Sequence, residues 1–223
     1  PHRLYPGDAM TRSAPAPVAI PVSLFLDYTC PFSYLASEGL ERLRAQFPLK
    51  IRWRFVESRP GIPVSGCQPA EQGLSPALLA QQDRQAAELA TAKGIEPPRP
   101  RRLLANSRRA LLLALATQTL QPARFAALHR SLFRAYLIDG RNIGDPEILL
   151  SLAREQGLEE VAESAWGGPT YYEQLLAHVT EAQRLNLSEL PSLRVGPRLF
   201  GGATAIQTLE QALRQNAAYA ETH

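Results

Sequence analysis

The sequence predicts an α/β protein whose small sheet is completed by strands from both ends of the chain. Three patterns lead to this fold class. An apolar, β-rich run near the start is followed by helical periodicity and a second strand pattern. Residues 75–187 then show helical patterns throughout, and two short strands and a helix follow them. The ends can share one sheet only if they meet, so the helices between them are expected to form a cap.

The first elements are a buried strand, a helix and an edge strand. Residues 18–27 are apolar at nearly every position, which is typical of a strand buried on both faces. A helical stripe runs from Cys30 to about Phe47, and Pro48 ends it. Apolar and basic residues alternate over 49–55, the pattern of a strand with one wet face, so this strand is expected at or near a sheet edge.

The middle of the chain opens with a loop, because the prolines and glycines of residues 57–72 do not fit a strand ladder. Ser75 is expected to cap a helix that starts at Pro76 and stops at Gly94. Three further helix starts are predicted at Asn106, Pro122 and Asp145, and a last long helix over residues 170–187.

Near the end, residues 192–195 and 198–200 are predicted to form a hairpin around Gly196 and Pro197, and a helix follows over 203–215. The predicted organisation is a flexible segment at 1–17, a sheet-containing domain at 18–74 and 188–223, and an inserted helical domain at 75–187. A four-stranded sheet would then combine a β-α-β half with a β-β-α half.

Composition excludes several classes of protein. The chain has 223 residues, 45% of them hydrophobic, which suits one large domain or a small domain with an insertion. The net charge of +3 is no nucleic-acid signature, and the longest apolar run, Ala110–Ala116, is too short to cross a membrane. Residues 1–17 lack the apolar core of a secretory signal, so the cytoplasm is the expected compartment.

Arginine dominates the positive charge, since Lys50 and Lys93 are the only lysines. Forked guanidinium donors suit carboxylates and phosphates. One cluster of arginines could therefore bind an anionic ligand. A solvent-exposed segment that leads into a helix would explain the same cluster equally well. This cluster comprises Arg99, Arg101, Arg102, Arg108 and Arg109.

Cys30 is the first candidate catalytic residue, because it stands where the buried strand ends and a helix begins. Helix N-termini stabilise anions and can lower a cysteine pKa from about 8.5 to between roughly 3.5 and 7.5. Pro31 supports a first helical turn at this point. Cys30 is accordingly predicted to be largely ionised at neutral pH. The alternative interpretation is that Cys30 is a buried residue that packs as a small hydrophobic side chain.

Four phrases in the sequence resemble the DsbA family, and within it the FrnE-like proteins. They are DYTCPFSYLAS, ANSRRALLLAL, LFRAYLIDGRNIGDPEILLSLAREQGL and LPSLRVGPRLFGGATAIQTLEQAL. The resemblance covers the chain from Val18 to the last helix. It implies a thioredoxin-like fold with a large all-helical insertion, and thiol-disulfide oxidoreductase activity in the cytoplasm.

The resemblance also assigns a substrate-binding edge. It implies that Pro191 is a cis-proline beside Cys30, and that Leu190 offers its backbone to an incoming peptide or glutathione. Phe32 and Tyr34 are expected to flank the mouth of the groove between the sheet and the helical cap.

One position departs from the family's Cys-x-x-Cys motif, since Ser33 replaces the second cysteine. The motif cannot close a disulfide, which predicts mixed-disulfide chemistry with glutathione or another low-molecular-weight thiol as co-substrate, or peroxide sensing. Ser33 could donate a hydrogen bond to the Cys30 thiolate. Cys67, in a loop expected to be mobile, is the other candidate for a resolving thiol.

Two other functional classes stay open. The run CPFSYLA also resembles the kappa-class glutathione transferases and the 2-hydroxychromene-2-carboxylate isomerases, in which a serine at the position of Cys30 orients the glutathione thiolate. A non-catalytic peptide-binding module is the other alternative. His129 and His178 are expected on helix surfaces or boundaries, and no metal site or tightly bound cofactor is predicted. The expected partner is a protein or small-molecule thiol or disulfide; a homodimer is left open.

Overall fold

The sheet combines strands from both ends of the chain, as the sequence predicts. The computed structural model describes residues 19–221 and contains β1 (Ile20–Leu26), β2 (Leu49–Phe55), β3 (Ser192–Val195) and β4 (Arg198–Gly201). The strand order is β2-β1-β3-β4. β1 is parallel to β2, and the other two pairings are antiparallel. β2 therefore lies at an edge, which its alternating sequence predicts.

The central strand β1 is buried on both faces because helices cover both sides of the sheet. Leu24 lies opposite Trp53 of β2 and Leu193 of β3. Both Leu24 and its neighbour Phe25 are fully buried, although their side chains point to opposite faces. The continuous apolar run in the sequence thus reflects burial on two sides.

Eight helices accompany the sheet in the described residues. Two of them flank the sheet strands in sequence: α1 (Pro31–Arg44) follows β1, and α8 (Ala205–Glu221) follows β4. The six others lie between β2 and β3. These are α2 (Pro76–Ala92), α3 (Arg108–Leu120), α4 (Pro122–Phe133), α5 (Pro146–Arg154), α6 (Glu159–Trp166) and α7 (Thr170–Arg184).

The helix α3 lies at the centre of the insertion. Residues 110–117 are all buried, and the helix packs against α4, α6 and α7. One hydrophobic cluster joins α3 to β1, so the helices share a core with the sheet. The division into domains at 18–74 with 188–223 and at 75–187 stays a prediction, and the predicted flexible segment at 1–17 lies outside the described residues.

Local signals placed most helix starts correctly. Ser75 caps α2 by accepting a hydrogen bond from the Leu78 N–H at 3.4 Å. Asp145 caps α5 by accepting one from the Glu147 N–H at 2.9 Å. For α3, Ser107 directly precedes the helix but makes no side-chain capping bond, whereas the predicted residue Asn106 accepts from the Arg108 N–H at the helix start at 3.0 Å.

Other differences concern short elements. The helix α6 was not predicted, because it has only eight residues. A π-helical turn over residues 134–138 ends α4, and a 3-10 turn over residues 202–204 delays the start of α8 to Ala205. No helix in the described part of the chain is both long and apolar enough to span a membrane.

The structure corrects the prediction that His129 lies near the surface. His129 is 3% exposed. Its Nδ1 lies 2.7 Å from the Tyr28 hydroxyl, and its Nε2 lies 2.8 Å from the Ser37 hydroxyl. These bonds satisfy both ring nitrogens of a neutral imidazole, which links α4 to β1 and α1. Burial, assisted by the nearby Arg130, lowers the pKa of His129 to about 3.

His178 is partly buried, which confirms the predicted boundary position, and its Nδ1 accepts a hydrogen bond of 3.0 Å from the backbone N–H of Phe55. This contact attaches α7 to the end of β2. Burial and the neighbouring Arg54 lower the pKa of His178 to about 4. Both histidines are therefore neutral at physiological pH.

The buried His129 predicts a loss of stability in mild acid. The unfolded chain takes up a proton at this residue near pH 6.5, whereas the folded chain resists until about pH 3. The free energy of unfolding should therefore fall as pH drops below 6.5, by at most about 1.4 kcal/mol per pH unit from this group. Urea unfolding followed between pH 7 and pH 4 measures this slope.

The variant His129→Gln should have a shallower slope than the parent protein, and the double variant with His178→Gln a shallower one still. An unchanged slope in His129→Gln would show that His129 is not the buried neutral group that the structure describes.

Candidate active site

The backbone places Cys30 between the end of β1 and the first turn of α1. Its N–H donates to the Asp27 carbonyl at 3.1 Å, and its own carbonyl accepts from the Tyr34 N–H at 3.2 Å. Cys30 has extended backbone angles, and Pro31 occupies the first helical position. This strand-turn-helix geometry agrees with the prediction from the sequence.

The Cys30 thiol contacts the other end of the chain. Its Sγ donates a hydrogen bond to the Leu190 carbonyl at 3.4 Å. The bond between Leu190 and Pro191 is cis, as the family resemblance implies. The Pro191 carbonyl in turn accepts from the Gly202 N–H at 2.9 Å. The structure thus brings together Cys30 and the predicted docking edge.

The pKa of Cys30 is raised, which corrects the prediction of a thiolate at neutral pH. Burial of the sulfur is the largest cause, and the charge of Asp27 adds to it. Hydrogen bonding from the Ser33 side chain and from the N–H groups of Ser33 and Phe32 lowers the pKa, but by less. The helix N-terminus therefore acts in the expected direction and is outweighed by desolvation.

Ser33 is fully buried, and its hydroxyl has no hydrogen bond of regular geometry. The Ser33 side chain nevertheless acts to lower the pKa of the Cys30 thiol. An unsatisfied buried hydroxyl is unfavourable by about 1–3 kcal/mol. Formation of a thiolate would give this hydroxyl a strong acceptor, and the role of Ser33 beside Cys30 stays a prediction.

Cys30 faces a groove of about 550 Å³, and part of the residue remains exposed there. Phe32 and Leu190 line it, as predicted. Tyr34 does not, which corrects its assignment to the groove: its hydroxyl donates to the Glu96 carbonyl at 3.2 Å, and it lines a different cavity. The groove walls come from residues 29–32, 56–59, 182–183 and 187–190, with Gln82, Arg101 and Val179.

Asp27 is a buried carboxylate that the functional predictions missed. Its Oδ1 accepts from the Thr29 N–H at 3.0 Å. Its Oδ2 accepts from the Ser58 N–H and hydroxyl at 2.8 and 2.7 Å, and from the Ser107 hydroxyl at 3.1 Å. Asp27 thus fixes the loop after β2 and the start of α3 around Cys30. A carboxylate at the end of a continuous apolar strand was the available signal.

Two charged residues on the groove wall, Glu57 and Arg59, were also missed. Glu57 Oε2 accepts from Arg108 Nε at 2.9 Å, whereas its Oε1 is buried without a hydrogen bond. Burial raises the pKa of Glu57, and Arg108 opposes the shift. Arg59 forms no ion pair with any described residue, and Arg101 is paired with Asp83 at 2.6 Å. The groove therefore contains an arginine without an ion-pair partner among the described residues, Arg59, and a carboxyl group with one unbonded oxygen, Glu57.

Cys67 lies outside the groove and is not in a mobile setting. It is 6% exposed and packs with Ile62, Leu79 and Leu104. Two backbone hydrogen bonds of 3.0 and 2.9 Å join it to Leu104. Burial and this bridge oppose the movement that a resolving thiol would need. Among residues 19–221, no three His, Cys, Asp or Glu side chains cluster in a way that could hold a metal ion.

Known proteins with a similar sequence or fold belong to the group that the resemblance indicates. The model of the family described as "DSBA-like thioredoxin domain" matches residues 21–214. A probable DsbA oxidoreductase from Streptomyces coelicolor is 25% identical, with a TM-score of 0.73 over 88% of this chain and 89% of that chain. No protein with a curated description matches.

Two more distant structures share the fold. The cytosolic disulfide reductase DsbM from Pseudomonas aeruginosa is 21% identical, with a TM-score of 0.64; the match covers 88% of this chain and 100% of that chain. A 2-hydroxychromene-2-carboxylate isomerase is also 21% identical, with a TM-score of 0.67 over 90% and 99% of the two chains. The thioredoxin-like fold is confirmed, while the closer FrnE-like assignment stays a prediction.

The raised pKa of Cys30 can be measured in a Cys67→Ser background, where Cys30 is the only thiol. We expect thiolate absorbance to increase with a midpoint above that of free cysteine, because burial opposes ionisation. Ser33→Ala should move the midpoint higher still, since it removes a hydroxyl that stabilises the thiolate.

Ser37→Ala is a matched control, because Ser37 is a buried serine on the same helix whose hydroxyl contacts His129 instead. A Cys30 midpoint well below that of free cysteine, or one that Ser33→Ala leaves unchanged, would contradict this description of the site.

Proposed function

The chain belongs to the family of DSBA-like thioredoxin domains, and we propose that it is a thiol-disulfide oxidoreductase working through the single thiol of Cys30. One observation carries the proposal. Cys30 is the N-cap residue of α1, opens to a groove and contacts the carbonyl before the cis-proline. Ser33 stands where a dithiol enzyme would hold its second cysteine.

The first proposed step forms a mixed disulfide. Cys30 loses its proton to solvent, and the Ser33 hydroxyl turns to stabilise the thiolate. The thiolate sulfur attacks one sulfur of a substrate disulfide, so that the new bond joins Cys30 to that half of the substrate. The other half leaves as a thiolate and takes up a proton from water.

The second proposed step needs a thiol from outside the protein. Ser33 cannot reduce the mixed disulfide, and the buried position of Cys67 does not favour its approach. A thiolate in solution attacks the substrate sulfur, forms a new disulfide and releases Cys30. Glutathione or another low-molecular-weight thiol would serve as this co-substrate, with no tightly bound cofactor.

The groove suits a small peptide-like thiol. Phe32 and Leu190 provide apolar contact beside Cys30, with Pro191 adjacent. Arg59 could pair with a carboxylate, since it has no ion-pair partner in the described residues, and Glu57 could face an ammonium group. Glutathione carries both charges. A protein disulfide in extended form remains the other proposed substrate.

The raised pKa favours reduction of substrates over their oxidation. A strongly oxidising enzyme owes its potential to a stabilised reduced form. Here burial destabilises the Cys30 thiolate, so the mixed disulfide is comparatively favoured. We therefore propose that Cys30 reduces substrate disulfides in the reducing cytosol. The described DsbM relative is named as a cytosolic disulfide reductase, in keeping with this direction.

A second candidate is a glutathione-dependent isomerase or transferase. One observation favours it: at neutral pH Cys30 is a protonated hydrogen-bond donor, as a serine at this position would be. A protonated thiol could hold a glutathione thiolate without reacting with it. The shared fold of the isomerase structure permits this function.

The oxidoreductase proposal predicts one glutathione adduct. Incubation with oxidised glutathione should add a single glutathionyl group to the parent and to Cys67→Ser, as measured by intact mass. Cys30→Ser should gain none. The rate should increase steadily with pH above neutrality, because each unit of pH raises the thiolate fraction about tenfold below the raised pKa.

A parent protein that stays unmodified even at alkaline pH, or an adduct on Cys67 alone, would refute the redox proposal. Glutathione-dependent turnover of a hydroxychromene or another aromatic substrate that survives Cys30→Ser would instead assign the second function. Binding of peptides with neither reaction would assign the non-catalytic alternative.

A further inference from the structure

A cavity separate from the Cys30 groove is walled by arginines. It has a volume of about 380 Å³ and lies between residues 99–103 and residues 139–142, with Tyr136 between them. Its volume lies within the range of small-molecule sites, roughly 300–1,000 Å³. The arginine cluster noted in the sequence divides here, because Arg108 pairs with Glu57 instead. Arg109 does not line the cavity either, and Arg141 joins Arg99, Arg101 and Arg102 there.

The walls of the cavity are held by backbone contacts. The Arg99 N–H donates to the Leu137 carbonyl, and the Arg141 N–H donates to the Ala135 carbonyl, each at 2.7 Å. The Tyr136 hydroxyl donates to the Leu103 carbonyl at 2.8 Å. Both arginine-bearing segments are thus anchored to the same π-helical turn, so their positions do not depend on a ligand.

The charge of the cavity is unbalanced. Arg101 is neutralised by Asp83, and Asp139 lies 3.6 Å from Arg134. The guanidinium groups of Arg99, Arg102 and Arg141 form no ion pair or hydrogen bond with any described residue. Asp139 is the one acidic residue among those that line the cavity, so these three arginines outnumber the negative charge beside them.

From this arrangement we propose that the cavity binds a small molecule carrying phosphate groups. A carboxylate brings one negative charge, whereas a phosphate monoester brings about 1.5 to 2 at pH 7, together with three acceptor oxygens. Guanidinium groups match phosphate oxygens with paired donors. Linked phosphates such as diphosphate neutralise three arginines better than one carboxylate does.

The site does not require the redox chemistry of Cys30. Arg101 lines both cavities, so the phosphate site and the active-site groove share a wall. The proposed reaction and this binding site can therefore be tested separately: a Cys30→Ser variant should bind phosphate compounds as the parent does.

Calorimetric titration with inorganic diphosphate at fixed ionic strength tests the proposal. We expect saturable one-to-one binding, with inorganic phosphate weaker than diphosphate. Arg102→Gln and Arg141→Gln should each weaken binding by about tenfold or more, because each removes a charge-assisted contact. The guanidinium groups of both residues have no hydrogen-bond or ion-pair partner among residues 19–221, so the variants should keep the parent's unfolding temperature.

Arg52→Gln is the matched control, since Arg52 is exposed on β2 and lines none of the cavities described above. It should bind diphosphate as the parent does. Three outcomes would overturn the proposal: no saturable binding in the millimolar range, an equal loss in Arg52→Gln, or a tricarboxylate that binds as tightly as diphosphate.

Discussion

The antiparallel pairing of β1 with β3 is the constraint on which the candidate active site depends. Phe25 near the end of β1 lies opposite Ser192 at the start of β3. Cys30 follows β1, and Leu190 and Pro191 immediately precede β3. The pairing therefore brings Cys30 within hydrogen-bond distance of Leu190, 160 positions later in the chain. The helical insertion lengthens the connection between these strands and also supplies the far wall of the groove, from α7 and the segment that follows it.

Burial determines the charge state of the groups around this junction. Burial raises the pKa of the Cys30 thiol and lowers the pKa of the His129 imidazole, and in both cases it favours the neutral form. Asp27 is a buried carboxyl group beside this junction, and its oxygens accept four hydrogen bonds. The buried surroundings of Cys30 therefore disfavour its ionisation, and the Ser33 side chain partly offsets this effect on the pKa.

The sequence predicted those features that depend on local patterns. Strand positions follow from apolar runs, and the caps at Ser75 and Asp145 from residue type, because both are short-range effects. The juxtaposition of Cys30 with Leu190 followed from family resemblance. Burial of His129 and Cys67, the direction of the Cys30 pKa shift and the turning of Tyr34 away from the groove were not predicted. Each depends on which helix covers a residue after packing, and periodicity gives no measure of desolvation.

The central claim, that Cys30 acts without a resolving partner in the chain, is tested most directly by the fate of the glutathione adduct. The loaded protein is freed of excess glutathione and followed by intact mass. The adduct should persist until a thiol is added, whereas Ser33→Cys, which restores a thiol one turn along α1, should release glutathione unaided and form an internal disulfide. Unaided release from the parent, with a disulfide between Cys30 and Cys67, would contradict the account.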